Sequence, residues 1–367
     1  MRNRIVMLVD LDYFFAQAEE TRNHSIRDKP VVVCVYSGRS ENSGAVSTAN
    51  YVARKLGVKS GMPIALAKRK LQNVDAIFLP VDEAFYEGIS SRIMSILRDY
   101  SDRFEQVGID EAYLDVSQRT NGSYEEAAGL ARRIKDEIVK QHGLTCSVGI
   151  GPNKPIAKIA ADIKKPDGLT VVRPEQTVEF LSPLPVERLI GVGVKTAEKM
   201  RALGVATIGN LAKRDVQGLI DVFGKKLGLY FHNASNGIDE EPVQEREEAE
   251  SISRISTLKE NTRDLSLILE KTNQQCEEIQ ADLENSGLNF KTVTVIAVME
   301  DLSIRSRSRS LEKNTNRTEV LKGTVNGLFG KFLEEFNLEV RRVGVKVSGL
   351  AKDEKSQKQL TSFIKQG

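Results

Sequence analysis

The chain is poor in the residues that build disulfide or zinc frameworks. Of its 367 residues only three are cysteine and three histidine. Cys34, Cys146 and Cys276 are widely spaced, form no Cys-x-x-Cys pair and are odd in number, which suits a reducing cytosol and buried apolar roles. His24, His142 and His232 are equally scattered, so no zinc site is expected. Long apolar runs are missing too. The run after Arg2 and Arg4 is broken by Asp10 and Asp12, which argues against a signal peptide, and nothing else approaches membrane-spanning length. The expectation is a cytoplasmic protein with no membrane partner. There is no excess of either charge sign: 53 basic against 51 acidic residues leave +2, so a polyanion would have to be held by local patches.

The length suggests about two to four domains, each with its own core. Ile5 to Val9 reads as a buried strand, Phe14 to Glu20 as a helix start and Pro30 to Tyr36 as a second strand. Ser40 to Gly44 reads as a turn, Ala49 to Leu56 as a helix ended by Gly57, and Gly61-Met-Pro as the opening of another element. Helical spacing recurs over 83–99 and 124–141, with strand-like Val107–Ile109, Ala112–Val116 and Leu144–Ile150 around and between them. This mixed order predicts an α/β or α+β sheet domain. Residues 174–233 read as short helices punctuated by glycine, and Asn233 to Glu250 is polar, acidic and linker-like. Beyond it a helix over 263–284, a strand over 291–299, a helix over 318–336 and a strand over 340–347 outline another domain, followed by a charged tail from Lys352.

Two stretches carry the chemistry: Ile5-Val-Met-Leu-Val-Asp-Leu-Asp-Tyr-Phe-Phe-Ala and Val107-Gly-Ile-Asp-Glu-Ala-Tyr-Leu-Asp-Val. Each sets carboxylates beside an apolar strand-like run, so Asp10, Asp110 and Glu111 are expected to meet at one sheet edge as hard oxygen ligands for divalent metal. Two Mg²⁺ ions roughly 3.5–4 Å apart in such a site activate a hydroxyl and stabilise a leaving pyrophosphate. Asp12 and Asp115 lie close by and are expected to be structural.

These motifs, with Val33-Cys-Val-Tyr-Ser-Gly-Arg, Ser43-Gly-Ala-Val-Ser-Thr-Ala-Asn-Tyr-Val-Ala-Arg, Gly57-Val-Lys-Ser-Gly-Met-Pro and Ala160-Ala-Asp-Ile-Lys-Lys-Pro-Asp-Gly-Leu, closely resemble the Y-family DNA polymerases of the DinB (DNA polymerase IV) type. The resemblance implies an α+β multidomain right hand. Its parts would be a mixed-sheet palm over 1–12 and 78–166, small fingers over 13–77, a helix-hairpin-helix thumb over 167–233, a linker over 234–248, an α/β little finger over 249–350 and a flexible tail over 351–367. It further implies that Asp10, Asp110, Glu111 and the Leu11 carbonyl bind two Mg²⁺. A primer 3′-hydroxyl would then attack the α-phosphate of a deoxynucleotide, and positioning and electrostatics dominate such transfers.

By the same resemblance, Thr48, Tyr51, Arg54 and Lys165 contact the triphosphate, and the backbone N–H groups of Tyr13, Phe14 and Phe15 assist. Phe15 matches the steric gate against a ribose 2′-hydroxyl. Val35, Ala45 and Ser47 match the roof over the nascent base pair; being small, they leave room for a distorted template base, which implies translesion synthesis at low fidelity. No segment resembles a proofreading exonuclease.

Ile190-Gly-Val-Gly-Val-Lys resembles a helix-hairpin-helix turn in which Gly191 and Gly193 let amides reach a DNA phosphate and Lys195 adds charge. Ile304-Arg-Ser-Arg-Ser-Arg-Ser reads as a strand presenting Arg305, Arg307 and Arg309 on one side to a phosphate backbone, with Arg254, Arg341 and Arg342 as further candidates. Gln357, Leu360, Phe363 and Ile364 resemble a sliding-clamp (PCNA-type) binding peptide, which would supply processivity and suggests an archaeal-type replication system. The expected molecule is a monomer acting on primer–template DNA and deoxynucleotides. Two rivals stand beside it: a catalytically silent recruiter of the same family, and a palm-type nucleotide cyclase, which leaves the thumb-like turn, the gate and the tail unexplained.

Overall fold

The computed structural model of the chain describes residues 4–245 and 249–352. The chain divides into two compact units. The first holds most of the chain up to Arg246; the second holds Val35–Ala45, Pro63–Ala65 and the chain from Glu247 on.

Eight strands begin in the N-terminal part: β1 (Val6–Leu11), β2 (Val31–Tyr36), β3 (Gly44–Ala49), β4 (Ile77–Pro80), β5 (Arg103–Gln106), β6 (Glu111–Asp115), β7 (Cys146–Gly151) and β8 (Leu169–Val171). Five of them make a mixed sheet in the order β5-β6-β1-β7-β8, and the other three make a small sheet in the order β3-β2-β4. β1 is fully buried because both of its faces are covered. Met7, Val9 and Leu11 pack with Ile93 and Leu97 of the helix Glu83–Asp99 and with Leu130, Ile134 and Ile138 of the helix Tyr124–His142. Val6 and Leu8 face the other way, against Ala157 and Ala161 of the helix Lys154–Ile163. That helix lies hard on β7: a Cβ at Gly149 would meet the backbone of Ala157, Ala160 and Ala161, so only glycine permits the approach.

Short helices from Thr177 to Ser235 gather their own core around Val186, Leu189, Met200, Leu211 and Phe231, joined by Ile156 and Ile159. The acidic segment read as linker-like is docked up to Glu245. Val243 is fully buried with Val6, Leu8 and Tyr113, Arg4 donates to the Asp239 and Glu241 carbonyls, and Asn153 Nδ2 donates to Gly237 O at 2.7 Å. A nearly dry ion pair, Lys154 Nζ to Glu105 Oε2 at 3.1 Å, lies beneath it; Glu241 also pairs with Lys154, and the Gln244 N–H donates to Glu105.

The second unit carries β9 (Ser251–Thr262), β10 (Leu288–Met299), β11 (Ile304–Thr315), β12 (Val340–Ser348) and β13 (Ala351–Lys352). Its antiparallel sheet runs β11-β10-β12-β9, with β13 pairing β10. One face is sealed by the helices Leu265–Ser286 and Thr318–Glu335 over Val293, Val295, Val343 and Val345. Among the described residues no helix is long and apolar enough to cross a membrane.

Two sequence expectations need correction. Val107–Ile109 is not a strand; the strand is β5, and 107–110 form the loop turning into β6. The long strand β9 was not anticipated, because its apolar residues Ile252, Ile255 and Leu258 recur every third position among polar and charged ones and show no period of two.

Candidate active site

Asp10 lies near the end of β1 and pairs in register with Glu111, the first residue of β6. Opposed residues of an antiparallel pair share a face, and this pair has the parity of Leu8 and Tyr113, so both carboxylates project toward the helix Lys154–Ile163. Asp110 sits in the loop just before β6 and accepts the Leu11 N–H on its carbonyl at 2.9 Å. The three acids line one cleft of about 380 Å³ together with Leu11, Tyr13, Phe14, Phe15, Ser47, Thr48, Tyr51, Arg54, Lys158 and Lys165.

The electrostatics of this cleft are those of acids pressed together. Burial and then the neighbouring Asp10 push the Asp110 carboxyl above its usual range. Burial raises Glu111 as well, against the pull of Lys158. Lys158 Nζ lies 3.1 Å from Asp10 Oδ2 and is bonded to Glu111 Oε2, while Lys165 Nζ reaches the same Asp10 oxygen at 2.7 Å. Burial is the largest single influence and pulls both ammoniums down, but the surrounding acids together, Asp10 foremost, outweigh it and both end above their ordinary values. Among the described residues no three acid, histidine or cysteine side chains converge on one point; Asp10 and Glu111 aim at Lys158. The donor set nonetheless suits Mg²⁺: hard oxygens on adjacent strands, with acids whose mutual repulsion a cation would relieve.

Lys165 is held from behind. Asp12, almost fully buried, accepts from Thr145 Oγ1 at 2.9 Å, Ser147 Oγ at 2.7 Å and the Asp167 N–H at 2.8 Å. Lys135 Nζ bonds Asp167 Oδ1 at 2.7 Å and the Cys146 carbonyl at 2.6 Å. Asp12 is thus structural, as expected, and so is Asp115, which caps Ser117.

Opposite the acids, the helix Phe14–Arg22 starts in the cleft, and its first-turn amides lack intrahelical acceptors. Tyr13 supplies the turn with a left-handed φ of 37°, strained for a non-glycine residue, and its ring meets Tyr51 edge-on at 5.2 Å. Arg54 lies over the Tyr51 ring and donates to the Ala49 carbonyl at 2.8 Å. Phe14 is a core residue at 2 % exposure, whereas half-buried Phe15 stacks on Tyr86 at 4.2 Å with 12° between the planes. Tyr86 is itself pinned through its hydroxyl to Glu19 at 2.8 Å. Of the three residues expected to form the roof, Ser47 lines the cleft; Val35 is exposed on β2 and Ala45 half-buried on β3.

The DNA-contact candidates lie elsewhere. Gly191 has φ +83° before the helix Val194–Ala202, capped by Gly193, and Lys195 is exposed. Over Ile304–Ser310 β11 pairs with β10 in continuous register, and Arg305, Arg307 and Arg309 do share one side, opposite Ala297, Val295 and Val293, which is the helix-covered side of the sheet. Arg307 pairs there with Glu335 and lies over Phe336, and Arg254 pairs with Asp282 and Glu278. Arg341 and Arg342 are half-buried at the start of β12. Gln357, Leu360, Phe363 and Ile364 lie outside the described residues.

Comparison with known proteins defines the class. The impB/mucB/samB family model matches residues 9–162, its C-terminal-domain model residues 249–362, and a model described as the DNA polymerase-iota thumb domain residues 187–239. "DNA polymerase IV" of Nitrosopumilus maritimus is 44% identical over 99% of this chain and 100% of its own length, and "DNA polymerase IV 1" of Methanosarcina mazei is 45% identical over 99% and 100%. Among solved structures, the "Y-family DNA polymerase chimera Dbh-Dpo4(243-245)-Dbh" superposes with a TM-score of 0.90 at 38% identity, covering 95% of this chain and 100% of that one. The chain belongs to the Y-family DNA polymerases, in their DNA polymerase IV (DinB) branch, and is an enzyme of that class.

Sequence reading missed Lys158, Ser60 and Tyr86, all at or behind the cleft. Lys158 carried no legible signal: in the sequence it is one of two lysines four apart on an alanine-rich helix.

Proposed function

We propose that this polymerase extends primed DNA by template-directed, two-metal nucleotidyl transfer, with low processivity and fidelity, and that it continues across damaged template bases. The observation that carries the reading is the cleft itself, where Asp10, Asp110 and Glu111 face Arg54, Lys165, a helix N-terminus and Phe15. Asp10, Asp110, Glu111 and the Leu11 carbonyl would hold two Mg²⁺, which supply Lewis-acid polarisation of the phosphate and activation of the primer hydroxyl. Thr48, Tyr51, Arg54 and Lys165 bind and orient the triphosphate, with the first-turn amides after Tyr13 neutralising its far end. Phe15, braced by Tyr86, meets the sugar and rejects a 2′-hydroxyl. Val35, Ala45 and Ser47 form a low roof that tolerates a misshapen base.

Relatives titled "Insertion ternary complex of Dbh DNA polymerase" and "Post-insertion binary complex of Dbh DNA polymerase" support primer–template DNA and nucleotide as partners. Gly191, Gly193, Lys195, Arg254, Arg305, Arg307, Arg309, Arg341 and Arg342 grip the duplex without reading sequence, and the peptide Gln357–Ile364 docks on a sliding clamp. The test is primer extension on an undamaged template and on one with a single abasic site, with and without the clamp. Insertion dictated by the template base, with passage over the abasic site, supports the reading; extension that ignores the template or always stops before the lesion contradicts it.

A further inference from the structure

Lys158 has no part in binding or orienting the nucleotide as described above, yet its ammonium sits at the electrostatic centre of the cleft. It projects from the helix Lys154–Ile163 between Asp10 Oδ2, at 3.1 Å, and Glu111 Oε2, and its side chain is 27% exposed. Asp10 Oδ2 also takes Lys165 at 2.7 Å, so that oxygen already serves two ammonium groups. These carboxylate oxygens are the ones the polymerase reading assigns to metal. A divalent ion held by Asp10 and Glu111 would draw on the same two carboxylates, and two cations there would repel each other across a few ångströms. Metal binding and the Lys158 contacts therefore compete.

We infer that Lys158 is a built-in counter-ion of the Asp10–Glu111 pair, competing with divalent metal and thereby setting how much metal this polymerase needs. The inference rests on the metal reading of the cleft. With its ammonium in place the acids can stand together on neighbouring strands without metal. When metal binds, the flexible four-carbon stem lets the ammonium swing away, and Asp162, one turn further along the same helix, attracts it. A lysine suits this better than an arginine fork, because a compact point charge can be withdrawn by rotation about the stem.

The test uses the full chain stripped with EDTA, without DNA or nucleotide, and measures Mn²⁺ binding by electron paramagnetic resonance for wild type, Lys158→Met and Lys158→Arg. The Met variant should bind Mn²⁺ about tenfold more tightly, melt lower than wild type in EDTA and gain more on adding Mn²⁺; the Arg variant should bind it no more tightly than wild type. If the Met variant does not fold in EDTA, Lys158→Gln takes its place. Equal or weaker Mn²⁺ affinity in the uncharged variants overturns the inference. Primer extension by wild type in the same preparation separates the two levels: with extension present, such a result removes only the role given to Lys158. Absence of both Mn²⁺ binding and extension in wild type removes the polymerase reading of the cleft, and the inference with it.

Discussion

Asp10 and Glu111 are partners in one strand pair, and the helix above them answers with lysines: Lys158 over that pair and Lys154 over Glu105. The acids were legible because two separate segments each set carboxylates beside a strand-like apolar run; either alone would read as a strand cap or a turn. Lys158 was not, since a lysine on an alanine-rich helix reads as a surface cation until the helix is known to lie on the sheet. Phe15 and Asp12 give the residue-scale predictions. Phe15→Ala should raise the ratio of ribo- to deoxynucleotide incorporation by about 100-fold, a steric effect of the size pocket contacts can give; Tyr86→Ala should raise it less, by freeing the ring. Single-nucleotide insertion kinetics check both, and unchanged sugar discrimination in Phe15→Ala would refute the gate. Asp12→Ala leaves the Ser147 hydroxyl and the Asp167 amide without their acceptor, while the Thr145 hydroxyl keeps Gln17 Oε1 at 3.0 Å, so it should cost about 3 kcal/mol by denaturant unfolding and weaken nucleotide binding by loosening the Lys165 loop.

At the scale of elements, long periodic helices such as Glu83–Asp99 and Tyr124–His142 announced themselves, whereas strands rich in charge did not. β11 was readable because Arg and Ser alternate strictly, and the hydroxyls of Ser308 and Ser310 do meet Thr294 and Thr292 across the sheet. β9 has no such regularity. The seating of segment 237–245 was not legible for a different reason: its composition is that of a linker, and the one apolar residue that anchors it, Val243, carries no periodic signal. Its seat includes the buried pair Lys154–Glu105. Lys154→Met alone leaves Glu105 buried and uncompensated and should destabilise the protein by about 3 kcal/mol. Lys154→Met with Glu105→Leu should recover most of that loss. Equal destabilisation by single and double variants in urea would show that the pair matters only as packing.

At the scale of the whole molecule, Cys34, Cys146 and Cys276 are each buried and none is disulfide-bonded. Burial pushes the Cys146 and Cys276 thiols up to about 12. A raised value means the folded state keeps the proton, so this contribution to stability is intact below the ordinary thiol value near 9 and is lost as pH rises from there to about 12. Thermal melts should fall over that window, less steeply when both thiols are replaced by alanine. The family and the order of its parts were readable from motifs in the first half of the chain; the placement of the acidic segment was a matter of tertiary packing.

The measurement that bears most directly on the central claim is Mg²⁺-dependent extension of a primed template by wild type and by Asp110→Ala/Glu111→Ala, with DNA affinity measured on the same samples. The account predicts short, distributive deoxynucleotide addition by wild type, and loss of extension with DNA binding retained in the double variant. Extension surviving without Asp110 and Glu111, or tight DNA binding by wild type with no extension at all, would contradict it.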